Sequence, residues 1–253
     1  MLFSELEEVL EDLSRNKQRL TVSRHAYNIL LQDDEIFEPD KKQNRAGGDP
    51  SSTLVNQLFQ NLYETAESSI WMRLGAEKEK LAERFKGQEN AEACTGAVLA
   101  LLREQLEEKA RCRQRDKGCS FFVRLSKPVL EALASDELRK DAAFYGDKVG
   151  SYMKALLEEY CALPYAERER IYYKQQLQSI ELAITKQEKL KLTLSSRKKP
   201  TGGAAAPNNI TYLKPLCVQK DTEQLYNYLV GMTSAQPGGP WGMGCVRLSS
   251  IKK

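Results

Sequence analysis

Histidine occurs once in this chain of 253 residues, at His25, and tryptophan only twice. The six cysteines, at positions 94, 112, 119, 161, 217 and 245, include no C-x-x-C pair. Structural zinc sites need closely spaced Cys and His ligands, and these spacings do not supply them. They do not make a disulfide framework either, so reduced thiols, some of them buried, are expected. No apolar run approaches the roughly 18 residues that cross a bilayer. The opening Met1-Leu2-Phe3-Ser4-Glu5-Leu6-Glu7-Glu8 is acidic and amphipathic, unlike a basic-then-apolar signal peptide. A cytoplasmic protein without membrane contact is the expectation. Gly47-Gly48 and Gly202-Gly203 lack the following Lys-Ser/Thr of a phosphate-binding loop. His25 has no cysteine or serine–acid arrangement around it and reads as structural. Glu167-Arg168-Glu169-Arg170 alternates in sign and reads as a solvated helix. Nothing here assembles a nucleophile, a metal site or a cofactor site, so the expected protein is not an enzyme and carries no cofactor. Charge of one sign is also scarce. The balance of 38 basic against 35 acidic residues leaves a net +3, so any nucleic-acid site must come from local clustering.

One short pattern is present twice. Arg19-Leu20-Thr21-Val22 alternates polar and apolar, stops at Ser23, and gives way to the helix-like Ala26-Tyr27-Asn28-Ile29-Leu30-Leu31. Phe121-Phe122-Val123-Arg124-Leu125 stops at Ser126 and opens Lys127-Pro128-Val129-Leu130-Glu131-Ala132-Leu133. A second apolar helix follows each, from Thr53 and from Lys148. Strand, helix, helix is the order of a ribbon–helix–helix unit, here about 17–86 and 119–163. A lone strand needs a partner, so the two ribbons pair either inside the chain or across a dimer. Lys17, Arg19 and Thr21 share one face of the first, with Leu20 and Val22 opposite. Phe122 and Arg124 share the outer face of the second, against Phe121, Val123 and Leu125. A polar two-stranded ribbon fits a DNA major groove, whereas an exposed aromatic beside arginine suits unpaired bases. That asymmetry favours an internal pseudo-dimer over two equivalent DNA readers.

Around the ribbons, periodicity predicts an amphipathic helix over 1–14, with Leu2, Phe3, Leu6, Val9, Leu10 and Leu13 on its apolar face. Ser23 is placed to cap the helix after the first ribbon. Residues 38–52 form a polar loop, and the next helix starts near Ser52 and runs with a break to about Lys86. A helix over 94–114 is expected to bury Val98, Leu99, Leu101, Leu102 and Leu106. A short loop spans 135–147, and Tyr165–Ile184 reads as one helix. Strands follow at 190–194, 210–218, 224–231 and 246–251, with a flexible loop at 196–209. The expected domains are therefore a helical region, 1–184, and a β module, 185–253. Two basic runs flank candidate binding elements: Lys109, Arg111, Arg113, Arg115 and Lys117 before the second ribbon, and Lys189, Lys191, Arg197, Lys198 and Lys199 about the first strand of the β module.

Asn227-Tyr228-Leu229-Val230-Gly231, with Leu213-Lys214-Pro215-Leu216 upstream and Val246-Arg247-Leu248-Ser249-Ser250-Ile251 downstream, resembles the start of a WYL domain, a small Sm-like barrel. The likeness covers about 60 residues; Asn227 stands where the family has tryptophan, and Lys253 falls directly after the matched strand. The fold class this implies is mainly α with short β elements: tandem ribbon–helix–helix units followed by a partial Sm-like antiparallel β-barrel, its edge truncated or completed by another chain. Carried over residue by residue, Tyr228 would stack on a base and Arg247 would fork onto phosphate. Paired ribbons before such a module resemble the WYL accessory proteins of type VI-D CRISPR systems. That resemblance implies a non-catalytic, homodimeric binder of single-stranded RNA that modulates an RNA-guided, RNA-cleaving effector. A DNA-binding WYL-family transcriptional regulator is the alternative. The expected nucleic-acid contacts are Arg19, Lys109, Arg111, Arg113, Arg115, Phe122, Arg124, Lys191, Lys214, Tyr228 and Arg247.

Overall fold

The architecture is taken from a computed structural model, which describes residues 1–37, 48–63, 70–115, 118–194, 209–221, 223, 225–251. The chain forms two compact units, Met1–Ala162 and Leu163–Lys253.

The first unit is organised by its period-two segments. β1 (Lys17–Val22) pairs antiparallel with β2 (Cys119–Arg124), with Arg19 opposite Phe122 and Leu20 opposite Phe121. The two ribbons therefore pair inside one chain. Their inner face buries Leu20, Val22, Phe121 and Val123, all at most 1% exposed. Alternation dictates this: one face must leave water, and each buried Leu, Val or Phe contributes about 1.5–3 kcal/mol. β1 leads into α2 (Arg24–Phe37) and α3 (Ser52–Leu62); β2 leads into α6 (Lys127–Leu133), α7 (Asp136–Ala142) and α8 (Val149–Cys161). Ser23 caps α2 as the sequence predicts, accepting from the Ala26 N–H at 3.1 Å, and donates its hydroxyl to Glu158 of α8. At Gly150 α8 comes close to β1: a Cβ there would lie 3.3 Å from the backbone Arg19 O and would push aside the end of the Gln18 side chain. Tyr152, Tyr160, Leu54, Leu58 and Phe59 complete the core under the ribbon.

The C-terminal end of the open edge of β2 is capped by side chains of α3. Ser52 Oγ accepts from Arg124 N at 2.9 Å, Asn56 Nδ2 donates to Arg124 O at 2.9 Å, and Asn56 Oδ1 accepts from Ser126 N at 2.9 Å. Such pairing satisfies the backbone where the strand gives way to α6.

Several expectations for this unit are corrected. The N-terminal helix is broken into a 3₁₀ turn at Phe3–Glu5, α1 (Leu6–Glu11) and a second 3₁₀ turn at Leu13–Arg15. The 135–147 segment is not a loop throughout: it holds α7 and the 3₁₀ turn Ala143–Tyr145, because Leu138 and Tyr145 are buried there. α4 (Ile70–Arg84) and α5 (Ala91–Arg115) pack on each other, yet α5 leaves Val98 at 40% and Leu101 at 61% exposure. Its inward stripe runs instead through Thr95, Leu99, Leu102 and Leu106.

The second unit begins at Leu163, not near 185. The expected single helix is two, α9 (Tyr165–Tyr172) and α10 (Lys174–Thr185), and their apolar face (Tyr172, Tyr173, Leu177, Ile180, Ala183) is buried with the β module. Strands β3 (Leu190–Leu194), β4 (Asn209–Lys220), β5 (Asn227–Ser234) and β6 (Gly242–Arg247) form an antiparallel meander in that order. An isolated bridge joins Leu194 to Ile251, so the ends of the four-stranded sheet meet. The fourth strand lies earlier than expected, and Leu248–Ser250 is a 3₁₀ turn that buries Leu248. β4 is irregular between Pro215 and Cys217. Glycine is required opposite: a Cβ on Gly231 would lie 2.2 Å from Lys214 O and 3.0 Å from Pro215 Cα, both backbone atoms that cannot swing aside.

Candidate nucleic-acid interface

Each unit presents one candidate surface. On the first, the outer face of the β1–β2 ribbon carries Lys17, Arg19 and Thr21 from one strand and Ser120, Phe122 and Arg124 from the other. Their partners follow from the register. Arg19 Nη2 donates to Ser120 Oγ at 3.2 Å, and the Thr21 and Ser120 hydroxyls lie 2.8 Å apart. Lys17 Nζ sits 4.4 Å from the centroid of the Phe122 ring, along the diagonal of the pair. Phe122 stays 54% exposed. The face is thus a small platform on which three cations surround one open aromatic ring. Of the adjacent basic run, Lys109, Arg111, Arg113 and Arg115 fall on the last turns of α5, and their side chains, like all of Lys117, lie outside the described residues. His25 is exposed in the first turn of α2 rather than built into the core.

On the second unit, strand register puts Lys191, Tyr212, Lys214, Tyr228, Met232, Met243 and Arg247 on one face, opposite the buried Leu192, Leu213, Leu229 and Val246. Lys191 and Lys214 are exposed, and Tyr228 is half-buried. Arg197, Lys198 and Lys199 lie outside the described residues. Trp241, one residue before β6, was not singled out by the sequence. Its ring has Lys214 Nζ at 4.8 Å and Lys189 Nζ at 5.8 Å from the centroid.

Arg247 has a different post from the exposed phosphate fork expected of it. Its guanidinium stacks 3.6 Å from the centroid of Tyr226, Nη2 donates to Tyr165 OH at 3.4 Å, and Nε lies 4.0 Å from Glu169 Oε1. Glu169 is fully buried, and Arg168 is 6% exposed. The sign-alternating stretch is therefore not a solvated helix: one edge of α9 faces the protein. Glu169 Oε2 accepts from Asn227 N at 2.9 Å and Asn227 Nδ2 at 2.8 Å, and Oε1 accepts from Ser249 N at 3.1 Å. Asn227 Nδ2 also donates to Ala166 O at 2.7 Å. Asn227, which stands where the resembled family has tryptophan, thus bolts α9 to the sheet.

The same cluster perturbs Tyr165. Burial, and then the nearby Glu169 carboxylate, push its phenol up to about 12, with the Arg247 guanidinium opposing them. A phenol whose folded pKa is raised contributes stability that is fully present below the ordinary value near 10 and is lost as pH rises through the folded value. The second unit should therefore weaken between about pH 10 and 12, and Tyr165→Phe should flatten that dependence. Urea midpoints measured across that range check it; an unchanged slope in the variant would count against the assignment.

Among the described residues, no helix is long and apolar enough to cross a membrane, and no group of three or more His, Cys, Asp or Glu is placed to hold a metal. No family model and no curated protein matches the chain. Among solved structures it is similar to the crystal structure of a CRISPR Cas-related protein, with a TM-score of 0.67 and 18% identity over 94% of this chain. The match covers 62% of that neighbour, so this chain spans less than two thirds of its length. What the two have in common at that level of identity is the fold.

Proposed function

We propose that the protein is a non-catalytic, nucleic-acid-binding accessory of a CRISPR system, one that holds single-stranded RNA and modulates an RNA-guided, RNA-cleaving effector. The observation that carries the reading is the outer face of the β1–β2 ribbon, where Phe122 lies open with Lys17, Arg19 and Arg124 about it. An open ring stacks on any unpaired base, and flanking cations take the phosphates on either side. Base pairs in a duplex are stacked on one another and offer no such face. In this reading the first unit is a pair of ribbon–helix–helix elements fused in one chain, and the second is a WYL-like module whose Leu194–Ile251 bridge brings the sheet toward a barrel. The likeness of fold to a CRISPR Cas-related protein supports the setting. A homodimer remains part of the proposal and is checked by sedimentation.

The test is a pair of binding isotherms, on single-stranded RNA and on duplex DNA of matched sequence, each at two salt concentrations. Single-stranded RNA should bind more tightly, and Phe122→Ala should weaken it by about 1–3 kcal/mol. A clear preference for the duplex sinks the reading.

One observation favours the rival, a DNA-binding transcriptional regulator of the WYL family. A two-stranded antiparallel ribbon presenting Lys17, Arg19 and Thr21 has the shape and polarity that enter a major groove. The same isotherms decide for it if the duplex wins and Arg19→Ala relaxes sequence preference.

A further inference from the structure

The second unit holds a site of its own. We propose that Trp241, with Lys189 and Lys214, is a base-stacking site for single-stranded RNA, the ring taking one unpaired base and the two ammonium groups the phosphates beside it. This rests on the reading that the protein binds single-stranded RNA, and it assigns a second point of contact, on the second unit.

Trp241 is half-exposed, and the turn before it is held in place. Ser234 Oγ donates to Gln236 O at 2.8 Å and accepts from Gln236 N, and Gly239 N returns to Gln236 O at 3.2 Å. Pro237 and Pro240 restrict the same segment further, since each fixes its own φ. The ring is therefore presented by a pre-ordered loop, and little entropy is lost when a ligand settles on it. The two lysines come from the residue before β3 and from β4, so three separate segments converge on one ring.

The competing reading is that the lysines merely cover the tryptophan. Magnitudes separate the two. An exposed cation–π contact is worth about 0.5–1 kcal/mol, whereas a base stacked on an aromatic side chain is worth about 1–3 kcal/mol. A base therefore displaces an ammonium from the ring face, and the displaced lysine, on a flexible four-carbon stem, reaches the adjacent phosphate. Lys191 and Tyr212 stand on the same sheet face and continue it. The chemistry fits a strand of unpaired nucleotides better than an acidic peptide, which would satisfy the lysines but leave the ring unused.

The experiment uses the full chain with Trp71→Phe, which leaves Trp241 as its single tryptophan. Single-stranded oligouridylate RNA should quench its fluorescence saturably, and duplex RNA should not. In fluorescence anisotropy, Trp241→Ala should weaken the same RNA by about tenfold and Trp241→Phe much less. Changing both lysines to glutamine should lower the salt slope by about 1.4. If the RNA binds but neither quenches Trp241 nor notices Trp241→Ala, the site is wrong and the ribbon reading stands. If the parent binds no single-stranded RNA, the functional reading itself fails. Quenching by an oligoglutamate peptide and not by RNA also overturns the site. Should Trp241→Ala fold poorly, the quenching of the Trp71→Phe protein decides alone.

Discussion

Replacing Glu169 with alanine should cost the second unit about 3–5 kcal/mol, enough to unfold it under mild denaturant. The carboxylate is fully buried and accepts three hydrogen bonds, from Asn227 N, Asn227 Nδ2 and Ser249 N. Removing it leaves the buried Asn227 N–H, the half-buried Ser249 N–H and one of the two Asn227 amide protons without acceptors, the other amide proton keeping Ala166 O. It also leaves the Arg247 guanidinium, whose side chain is only 16% exposed, without its counter-charge. The cost comes less from losing an attractive pair than from stranding what the pair satisfied. Glu169→Gln is the informative companion. It retains one acceptor oxygen and the shape, so it should lose markedly less than alanine while still unbalancing Arg247. Hydrogen exchange along Asn227–Ile251 in the full chain reads this out locally, because the amides of Asn227 and Ser249 lose their partners directly. A change below about 1 kcal/mol for alanine would mean that the cluster is not what joins α9 to the sheet.

That cluster also marks where sequence reading stops. The ribbons were legible because period-two alternation fixes which residues turn inward, and Leu20, Val22, Phe121 and Val123 do so. The pairing partner was open between the same chain and a second copy. The unequal outer faces, polar on one strand and with Phe122 beside Arg124 on the other, favoured the internal pairing that β1 and β2 make. α9 misled because its charges alternate in sign along the chain, whereas a helix sorts residues by turns. Ala166, Glu169, Tyr172 and Tyr173 recur at helical spacing and are all buried, so the pattern was present but overridden by the run of charges. The domain boundary moved to Leu163 for the same reason. α5 erred in the opposite direction: its apolar residues cover more than one face, and among its described side chains the stripe through Thr95, Leu99, Leu102 and Leu106 turns inward while Val98 and Leu101 stay exposed. Trp241 carried no signal at all. Its two lysines lie 27 and 52 positions away in sequence, and only the sheet register brings them to the ring.

Changing Lys17, Arg19 and Arg124 together to glutamine should cost roughly a hundredfold in affinity for single-stranded RNA at about 0.1 M salt. Each phosphate neutralised on a single strand adds about 0.7 to the slope of log K against log salt. Three contacts therefore add about 2 to the slope, and that slope sets the loss at any salt below molar. All three side chains are exposed on the outer face, and the inner face that holds the ribbon is untouched. Stability should therefore change little. One contact within the platform changes too: with Lys17 gone, Phe122 loses the ammonium at 4.4 Å and stands freer to stack. The charge variant should thus retain a weaker and less salt-sensitive binding, shared between Phe122 and the Trp241 site, which Phe122→Ala added on top would lower further. A filter-binding series from low to high salt measures slope and remnant together. If the slope is unchanged while affinity falls, the three cations do not meet phosphates, and the binding face must be sought elsewhere. If affinity for duplex DNA falls more than affinity for RNA, the ribbon serves a major groove and the regulator reading takes over. The two halves of the experiment are separable because charge controls the salt slope and the rings, Phe122 and Trp241, control what remains at high salt, where a stacked base still holds but a screened phosphate does not.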